Sequence, residues 1–203
     1  IRGNCVELDD GSILAPLYGN EQGSNHVIVA VTRDRGATWK RQAVVPPAEG
    51  YHFNEPNLYR TESGRLVLFI RSLKKRTNPD EKHLASPLFT CESPDNGRTW
   101  SRPVMHDIYS PSPFHLLRLN SGHVLMTYGY RLKPYGIRAL VLDPECREIR
   151  ADRQIIVRED GPGLDIGYTT AVQLADDRVL IAYYYYDEED GYRYIAGSIC
   201  ALS

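Results

Sequence analysis

Two eight-residue stretches, TRDRGATW at residues 32–39 and SPDNGRTW at residues 93–100, contain the same pattern of turn-forming residues. Each begins with a hydroxyl residue and carries Asp, Gly, Thr and Trp at its third, fifth, seventh and eighth positions. An aspartate side chain accepts hydrogen bonds from turn amides, glycine adopts a positive φ without strain, and tryptophan packs back on a sheet. We therefore predict that Asp34 and Asp95 are structural turn residues rather than catalytic acids.

The two turns belong to a larger repeat of hairpin segments. Four segments share the plan of an apolar strand, a short polar turn and a second apolar strand, which predicts a β-hairpin in each. They are VELDDGSILAPLYG (6–19), LYRTESGRLVLFIRS (58–72), LLRLNSGHVLMTYGYR (116–131) and VQLADDRVLIAYYYY (172–186). A third apolar run follows each hairpin, and we expect a fourth strand after the next turn.

The spacing of the hairpins predicts the fold class. The successive separations are 53, 58 and 55 residues when the segments are aligned on Gly11, Gly64, Gly122 and Asp177. A period of this size fits the four-stranded blade of a β-propeller with long connections. We therefore predict an all-β propeller of about four blade-like repeats. Its single domain covers residues 1–203, with repeats at approximately 2–50, 51–108, 109–163 and 164–203.

Blade topology predicts which polar residues lie together. The start of the first strand, the end of the second and the start of the third share one face of a blade. Glu55 and Tyr168 each lie nine residues before their turn residue, Arg71 ends a second strand, and Arg138 begins a third. We expect these four side chains to converge on one face. The Asp-containing turns and the hairpin turns are expected on the opposite face.

The chemistry of these residues predicts an acidic sugar as the ligand. Two guanidinium groups form a bidentate clamp for a planar carboxylate, which lysine cannot reproduce. A carboxylate on the anomeric carbon would repel an Asp or Glu nucleophile, so a neutral phenol is the better attacking group. Tyr168 then requires a base to accept its proton, and Glu55 is suited to that role.

The two turn stretches match the Asp-box of sialidases and related propellers, S/T-x-D-x-G-x-T-W, at every fixed position. The equivalent residues 142–147 of the third repeat lack the glycine and the tryptophan. The chain resembles the C-terminal two-thirds of a sialidase-superfamily propeller, especially the bacterial BNR-repeat or Asp-box exo-α-sialidase-like proteins. The resemblance implies a six-bladed parent and a retaining glycoside hydrolase with a tyrosine nucleophile.

The same resemblance assigns roles to individual residues. Glu55 and Arg71 resemble the family's glutamate and second triad arginine, and Tyr168 in the stretch DIGYTTAVQL resembles the nucleophile. Arg138 resembles the third arginine, and Arg131 in YGYRLKPYGIRA is a rival for that position. The family's first arginine and its acid/base Asp have no counterpart in this chain. Arg2 lies nine residues before its turn glycine, as Glu55 does, but its sequence context differs from that of the family's first arginine, and no Asp near the start lies in a matching motif.

Three functional alternatives remain open at this point. They are a sialidase-like hydrolase, a non-catalytic glycan-binding propeller, and a related hydrolase or lyase acting on other acidic sugars such as uronates. The start without Met suggests a fragment or a processed form. Since the family has six blades and this chain four repeats, we expect either that about two blades are missing or that the protein is a shortened relative with an incomplete site. An open arc of blades exposes apolar faces, which predicts possible self-association.

Composition narrows the range of partners. The chain of 203 residues has 24 basic and 26 acidic residues, and its longest basic run is residues 74–76, so we expect no nucleic-acid partner. No apolar stretch reaches the ~20 residues of a membrane span. Six histidines and four cysteines show no metal-ligand spacing, and we expect no metal and no cofactor. A bacterial sialidase-like parent would be secreted or periplasmic rather than cytoplasmic.

Several residues near the predicted site have structural as well as functional interpretations. His52 and His115 lie close to the start of first strands and are candidate ligand contacts. The run of tyrosines at residues 183–186 is expected to alternate between the core and the rim, because strand side chains change face at every residue. Residues 73–86 are expected to form a long connection on the ligand-binding face, where loops carry specificity.

Overall fold

The computed structural model describes residues 3–76, 86–110, 112–188 and 191–201. Within them, fifteen strands form four antiparallel sheets in which each strand pairs with its neighbour in sequence. This all-β arrangement of four blades confirms the predicted propeller. Arg2 and residues 77–85, which include most of the predicted long connection, lie outside the described residues.

Each blade is a simple meander of short strands. Blade 1 contains β1 (Val6–Glu7), β2 (Ile13–Glu21), β3 (Ser24–Thr32) and β4 (Lys40–Val45). Blade 2 contains β5 (Tyr51–Arg60), β6 (Leu66–Lys74), β7 (Pro87–Ser93) and β8 (Val104–Tyr109). Blade 3 contains β9 (Phe114–Arg118), β10 (Val124–Tyr130), β11 (Tyr135–Leu142) and β12 (Ile155–Gly161). Blade 4 contains, in the described part of the chain, β13 (Gly167–Gln173), β14 (Val179–Tyr185) and β15 (Tyr194–Cys200).

The apolar core consists of three clusters, each formed mainly by two adjacent blades. Strand β6 shows how the sequence produces this arrangement, because all five residues from Leu66 to Ile70 are at most 1% exposed. Alternate residues of the run face opposite clusters: Leu68 packs between blades 1 and 2, whereas Phe69 packs between blades 2 and 3. A strand buried on both faces reads as a continuous apolar run rather than an alternating one.

The aligned hairpin turns adopt one backbone conformation. Gly11, Gly64 and Gly122 have φ values of +76°, +85° and +85°, and Asp177 has +63°. Glycine occupies this left-handed region without a Cβ clash, and aspartate is among the side chains that tolerate it. The residues aligned from sequence are therefore equivalent in structure.

The two Asp-containing turns have nearly identical hydrogen-bond networks. The Asp34 carboxylate accepts bonds from the amide and hydroxyl of Thr38, at 2.8 and 2.5 Å, and Asp95 accepts the same pair from Thr99 at 2.9 and 2.7 Å. These bonds lower the pKa of both carboxyl groups to about 2. In the third repeat Asp143 accepts three backbone amide bonds, although the glycine and tryptophan are missing.

The second of these turns also joins two blades. The Gln42 side chain of blade 1 donates a 2.8 Å bond to the carbonyl oxygen of Asn96. A methyl group at Gly97 would lie 2.9 Å from Leu14 Cδ1, so only glycine fits between the blades without displacement. Trp100 packs against the core between blades 1 and 2, whereas the equivalent Trp39 is 43% exposed.

Two further observations concern the predicted absence of membrane spans and metals. None of the described helical segments has the length and apolar character of a membrane span. No group of three or more His, Cys, Asp or Glu side chains in the described ranges could hold a metal ion.

Candidate active site

Three side chains predicted to converge do lie together, although they come from two blades and are up to 113 residues apart. The Tyr168 hydroxyl donates a hydrogen bond to Glu55 Oε1. Arg71 Nη1 donates to Glu55 Oε2 and, at 3.4 Å, to the Tyr168 hydroxyl oxygen. The side chains of Arg71 and Glu55 are only 15% and 12% exposed, so the ion pair lies in a largely desolvated position where its field is weakly screened.

The backbone explains how Glu55 and Tyr168 reach the same point. Both residues adopt a positive φ, +38° for Glu55 and +51° for Tyr168. Each lies in a β-bulge of the first strand of its blade, where the register shifts between Asn54 and Asn57 and between Gly167 and Thr170. A bulge redirects a side chain, and positive φ at a non-glycine residue stores strain that is typical of functional sites.

Two glycines bring blades 3 and 4 into close contact beside Tyr168. A methyl group at Gly129 would lie 2.6 Å from the Cα of Gly167 and 2.9 Å from the carbonyl oxygen of Ile166. Because both positions are glycine, the backbones of β10 and β13 approach at a distance that no side chain would permit. This contact places the end of β10, and therefore Arg131, next to Tyr168.

Arg131 lies directly against the Tyr168 ring. Its guanidinium carbon is 5.6 Å from the ring centroid. Its Nε donates a 2.9 Å bond to the carbonyl oxygen of Ile166, and its Nη2 donates a 2.6 Å bond to the hydroxyl of Tyr184. Arg131 is 9% exposed, and in the described part of the chain no carboxylate forms an ion pair with it.

The structure does not bring Arg138 into this group. Its guanidinium donates a 2.9 Å bond to the carbonyl oxygen of Arg158, lies 3.5 Å from a carboxylate oxygen of Glu159, and stacks 4.7 Å from the Tyr130 ring centroid. Arg138 pairs with Tyr128 in the middle of β11, and bulges on either side of Ile137 shift its register against β12. Among the contacts of Arg138 within the described residues, none is with Glu55, Arg71 or Tyr168, whereas its rival Arg131 lies against Tyr168. A substrate-binding role for Arg138 stays a prediction.

Sequence reasoning missed two polar residues behind Arg131. Tyr184 lies beside Tyr168, with ring centroids 5.8 Å apart, and its hydroxyl donates a 2.8 Å bond to Asp165. The other carboxylate oxygen of Asp165 accepts a 3.0 Å bond from Arg193. Two features of the sequence could have indicated these residues. Asp165 begins the stretch that contains Tyr168, and the alternation of side chains along a strand puts Tyr184 on the face of β14 opposite to Tyr183 and Tyr185.

The two histidines occupy different positions. His52 Nδ1 accepts a 3.2 Å bond from the backbone amide of Asn25, whose side chain donates a 2.6 Å bond to Asn54, the neighbour of Glu55. His52 thus belongs to a polar group adjoining the site. His115 is 9% exposed and pairs with Thr127 in the sheet of blade 3.

The electrostatics keep the Tyr168 phenol protonated. Burial raises the pKa of Tyr168, and the hydrogen bond and negative charge of Glu55 raise it further. The positive charges of Arg71 and Arg131 act in the opposite direction and stabilise the phenolate. The arrangement therefore holds a neutral phenol that can transfer its proton to an adjoining carboxylate between two cations.

Comparison with known proteins identifies the family. A protein of unknown function from Dyadobacter fermentans is 34% identical, with a TM-score of 0.87 over all of this chain and 53% of that protein. The α-L-arabinanase of Penicillium chrysogenum, solved with arabinobiose, is 18% identical with a TM-score of 0.69 over 98% of this chain and 62% of that one. A PL25 ulvan lyase is 13% identical with a TM-score of 0.64 over 97% and 54%.

No curated protein matches the chain. The chain spans about half the length of the Dyadobacter protein, and the two enzymes establish likeness of fold alone. Residues 1–194 match the BNR repeat-like domain. The chain is thus a member of the BNR repeat-like domain family.

Proposed function

We propose that this propeller binds an acidic sugar and cleaves its glycosidic bond at Tyr168. One observation carries the proposal: the Tyr168 hydroxyl donates to the Glu55 carboxylate between two arginines, Arg71 and Arg131. Arg131 is largely buried and forms no direct ion pair among the described residues, since the Asp165 carboxylate reaches it only through the Tyr184 hydroxyl. A buried charge is costly unless it is paired, so a ligand carboxylate is the natural counter-ion for this site.

The reaction that fits this geometry is a retaining displacement of the sialidase type. Glu55 accepts the phenolic proton as the Tyr168 oxygen forms a bond to the anomeric carbon and the glycosidic bond breaks. Arg131 and the free edge of Arg71 hold the substrate carboxylate beside the reacting carbon. Water then attacks the same carbon and loses a proton to solvent, the bond between that carbon and the Tyr168 oxygen breaks, and Glu55 returns its proton to the phenolate. The sugar is released with its original configuration.

The expected rate of hydrolysis depends on which group gives a proton to the leaving group. In the family that the chain resembles, an Asp of an earlier blade supplies this proton, and the sequence contains no match to that motif. General acid catalysis contributes roughly 10²- to 10⁴-fold to a rate. We therefore expect this chain to bind the sugar acid but to hydrolyse its glycosides slowly.

A second candidate is β-elimination from a uronate, and the same residues favour it. In that reaction arginine neutralises the carboxylate and a base removes the proton at C5, while the C4–oxygen bond to the leaving sugar breaks and a C4–C5 double bond forms. A base formed by Glu55 and Tyr168 beside two arginines fits this requirement, and one structural neighbour is a PL25 ulvan lyase bound to a glucuronate-containing saccharide. The neighbours also include arabinose-cleaving enzymes, so a neutral sugar is the competing ligand class.

The decisive experiment is a substrate panel with matched variants. Umbelliferyl glycosides of N-acetylneuraminic acid, glucuronic acid and α-L-arabinofuranose report hydrolysis, and the ultraviolet absorbance of an unsaturated uronate reports elimination. Turnover or binding of an acid, lost in Tyr168→Phe and in Arg131→Gln, would support the proposal. Binding of an acid without turnover, also in a longer form of the protein, would identify a glycan-binding module instead. Preference for the neutral arabinoside would overturn the proposal.

A further inference from the structure

Two of the three guanidinium nitrogens of Arg131 are held by groups of the protein. Its Nε donates to the carbonyl oxygen of Ile166 at 2.9 Å, and its Nη2 donates to the Tyr184 hydroxyl at 2.6 Å. The third nitrogen, Nη1, has no hydrogen-bond partner within the described residues. The guanidinium plane is therefore fixed by protein contacts while one donor edge remains available.

The orientation of the Tyr184 hydroxyl is itself determined by Asp165. The Arg131 guanidinium can only donate, so the Tyr184 hydroxyl donates its own proton to Asp165 Oδ1, which lies 2.8 Å away. The oxygen lone pairs of Tyr184 are thereby directed toward Arg131 Nη2. Arg193 in turn fixes Asp165, because it donates to Oδ2 at 3.0 Å and stacks 4.2 Å from the Tyr186 ring centroid.

We propose that Tyr184 and Asp165 are positioning residues that set the plane of Arg131 for a substrate carboxylate. This inference rests on the proposed function, because it gives Arg131 a ligand to hold. A clamp for a planar carboxylate must present both donors of a guanidinium edge in one plane. An arginine side chain has several rotatable bonds, so preorganisation of its plane lowers the entropy cost of binding.

The row of tyrosines provides an internal comparison for this inference. Tyr185, the next residue along β14, donates a 2.9 Å bond to Asp160, and the Arg158 guanidinium lies 3.8 Å from its ring centroid. This second group has the same three residue types, but Tyr185 lies on the other face of the strand and belongs to the core between blades 3 and 4. Tyr185→Phe therefore removes an equivalent bond to an Asp without touching Arg131.

The first test measures the guanidinium directly and needs no ligand. In nitrogen-15 NMR spectra, the Arg131 side-chain signals are assigned by their loss in Arg131→Lys. We expect slow rotation and slow hydrogen exchange of the Nη2 protons in the unmodified protein, faster exchange in Tyr184→Phe, and an intermediate rate in Asp165→Asn. Tyr185→Phe should leave these signals unchanged. Equal exchange in Tyr184→Phe and in the unmodified protein would overturn the inference.

The second test measures selectivity for the carboxylate. Binding of N-acetylneuraminic acid and of glucuronic acid is compared with binding of their methyl esters, which lack the negative charge. We expect Tyr184→Phe to lower the ratio of acid to ester affinity about tenfold, as loss of one hydrogen bond to a charged group predicts. Arg131→Lys should lower it further, and Tyr185→Phe should leave it unchanged.

The two tests separate failure of this inference from failure of the proposed function. A protein that merely loses stability in Tyr184→Phe would bind acid and ester more weakly in equal proportion, and the ratio would stay constant. An unchanged ratio together with unchanged exchange would refute the positioning role. If the unmodified protein binds neither acid, the proposed function fails, and the NMR exchange rates alone decide whether Tyr184 orients Arg131.

Discussion

Glu55 and Tyr168 are the two residues whose positions follow most directly from the sequence repeat. They share an offset from the turn, a positive φ and a β-bulge, although one is a carboxylate and the other a phenol. The bulge thus recurs at this position in blades 2 and 4, and the side chain that it presents differs between the two blades. The chemistry of the site arises because two unlike groups are redirected toward one point.

The hydrogen bond between these two residues predicts how the Tyr168 phenol titrates. Burial and the charge of Glu55 raise its pKa, whereas Arg71 and Arg131 lower it. In Glu55→Gln one raising contribution is removed and both arginines remain, so the pKa of Tyr168 should fall. Tyrosine ring-carbon NMR titration measures this change, with the signal assigned by its loss in Tyr168→Phe.

A matched control for this titration is Glu159→Gln, because Glu159 pairs with Arg138 rather than with the site. The pKa of Tyr168 should stay unchanged in that variant. A higher or unaltered pKa of Tyr168 in Glu55→Gln would contradict the proton-accepting role of Glu55. With an active substrate, Glu55→Gln should also lower kcat by roughly 10²- to 10⁴-fold.

For other residues, counting positions along the predicted strands was not always enough to place the side chain. Arg71 was predictable because it follows directly after the apolar run of β6, which pairs with β7 without a register shift, although the strand continues to Lys74. Arg138 was expected at the start of a third strand, but β11 begins at Tyr135, so Arg138 is its fourth residue and pairs with Tyr128. Tyr184 stood in a row of four tyrosines, and only the pairing of β14 with β13 shows which of them faces Tyr168.

The contact between β10 and β13 links the packing of the blades to the geometry of the site. Gly129 and Gly167 allow backbone-to-backbone contact, and residues 131 and 168 follow them by one or two positions. We predict that Gly129→Ala lowers the free energy of unfolding by about 3 kcal/mol, because the added methyl group meets rigid backbone atoms rather than a movable side chain. Denaturant unfolding monitored by circular dichroism measures this change.

The control for this strand contact is Gly19→Ala in β2. A methyl group there would meet only the flexible end of Ile28, at 3.2 Å. We expect a change of less than about 1 kcal/mol, in either direction. Equal effects of the two substitutions would show that the close approach of blades 3 and 4 does not constrain the site. The separate NMR signals of Arg131 should shift in Gly129→Ala and stay constant in Gly19→Ala.

The molecule as a whole was predictable because its repeat is visible at two independent levels. The hairpin spacing set the number of blades, and the Asp-containing turns identified the connection between the third and fourth strands of the first two blades. The strands of the inner blades read as continuous apolar runs because they are buried on both faces, and periodicity alone cannot assign such runs. The turn chemistry resolved that ambiguity.

One blade face distinguishes the end of this arc from its interior. On blade 4 the side chains of Val172, Ile195 and Ile199 lie on one face of the sheet and are 50%, 77% and 55% exposed. The corresponding sheet faces of blades 2 and 3 pack against the next blade along the chain. An exposed apolar face of this kind favours association, since burial removes it from water.

We therefore predict that the 203-residue chain self-associates through this face at about 100 µM protein. Sedimentation velocity should show a concentration-dependent shift to larger species, and the double variant Ile195→Lys with Ile199→Lys should sediment as a monomer. Tyr192→Lys serves as the control, because Tyr192 is 97% exposed but precedes β15 and does not belong to the sheet face. A monodisperse monomer of the unmodified chain at all concentrations would contradict the prediction. Loss of association in Tyr192→Lys as well would locate the contact outside the sheet face.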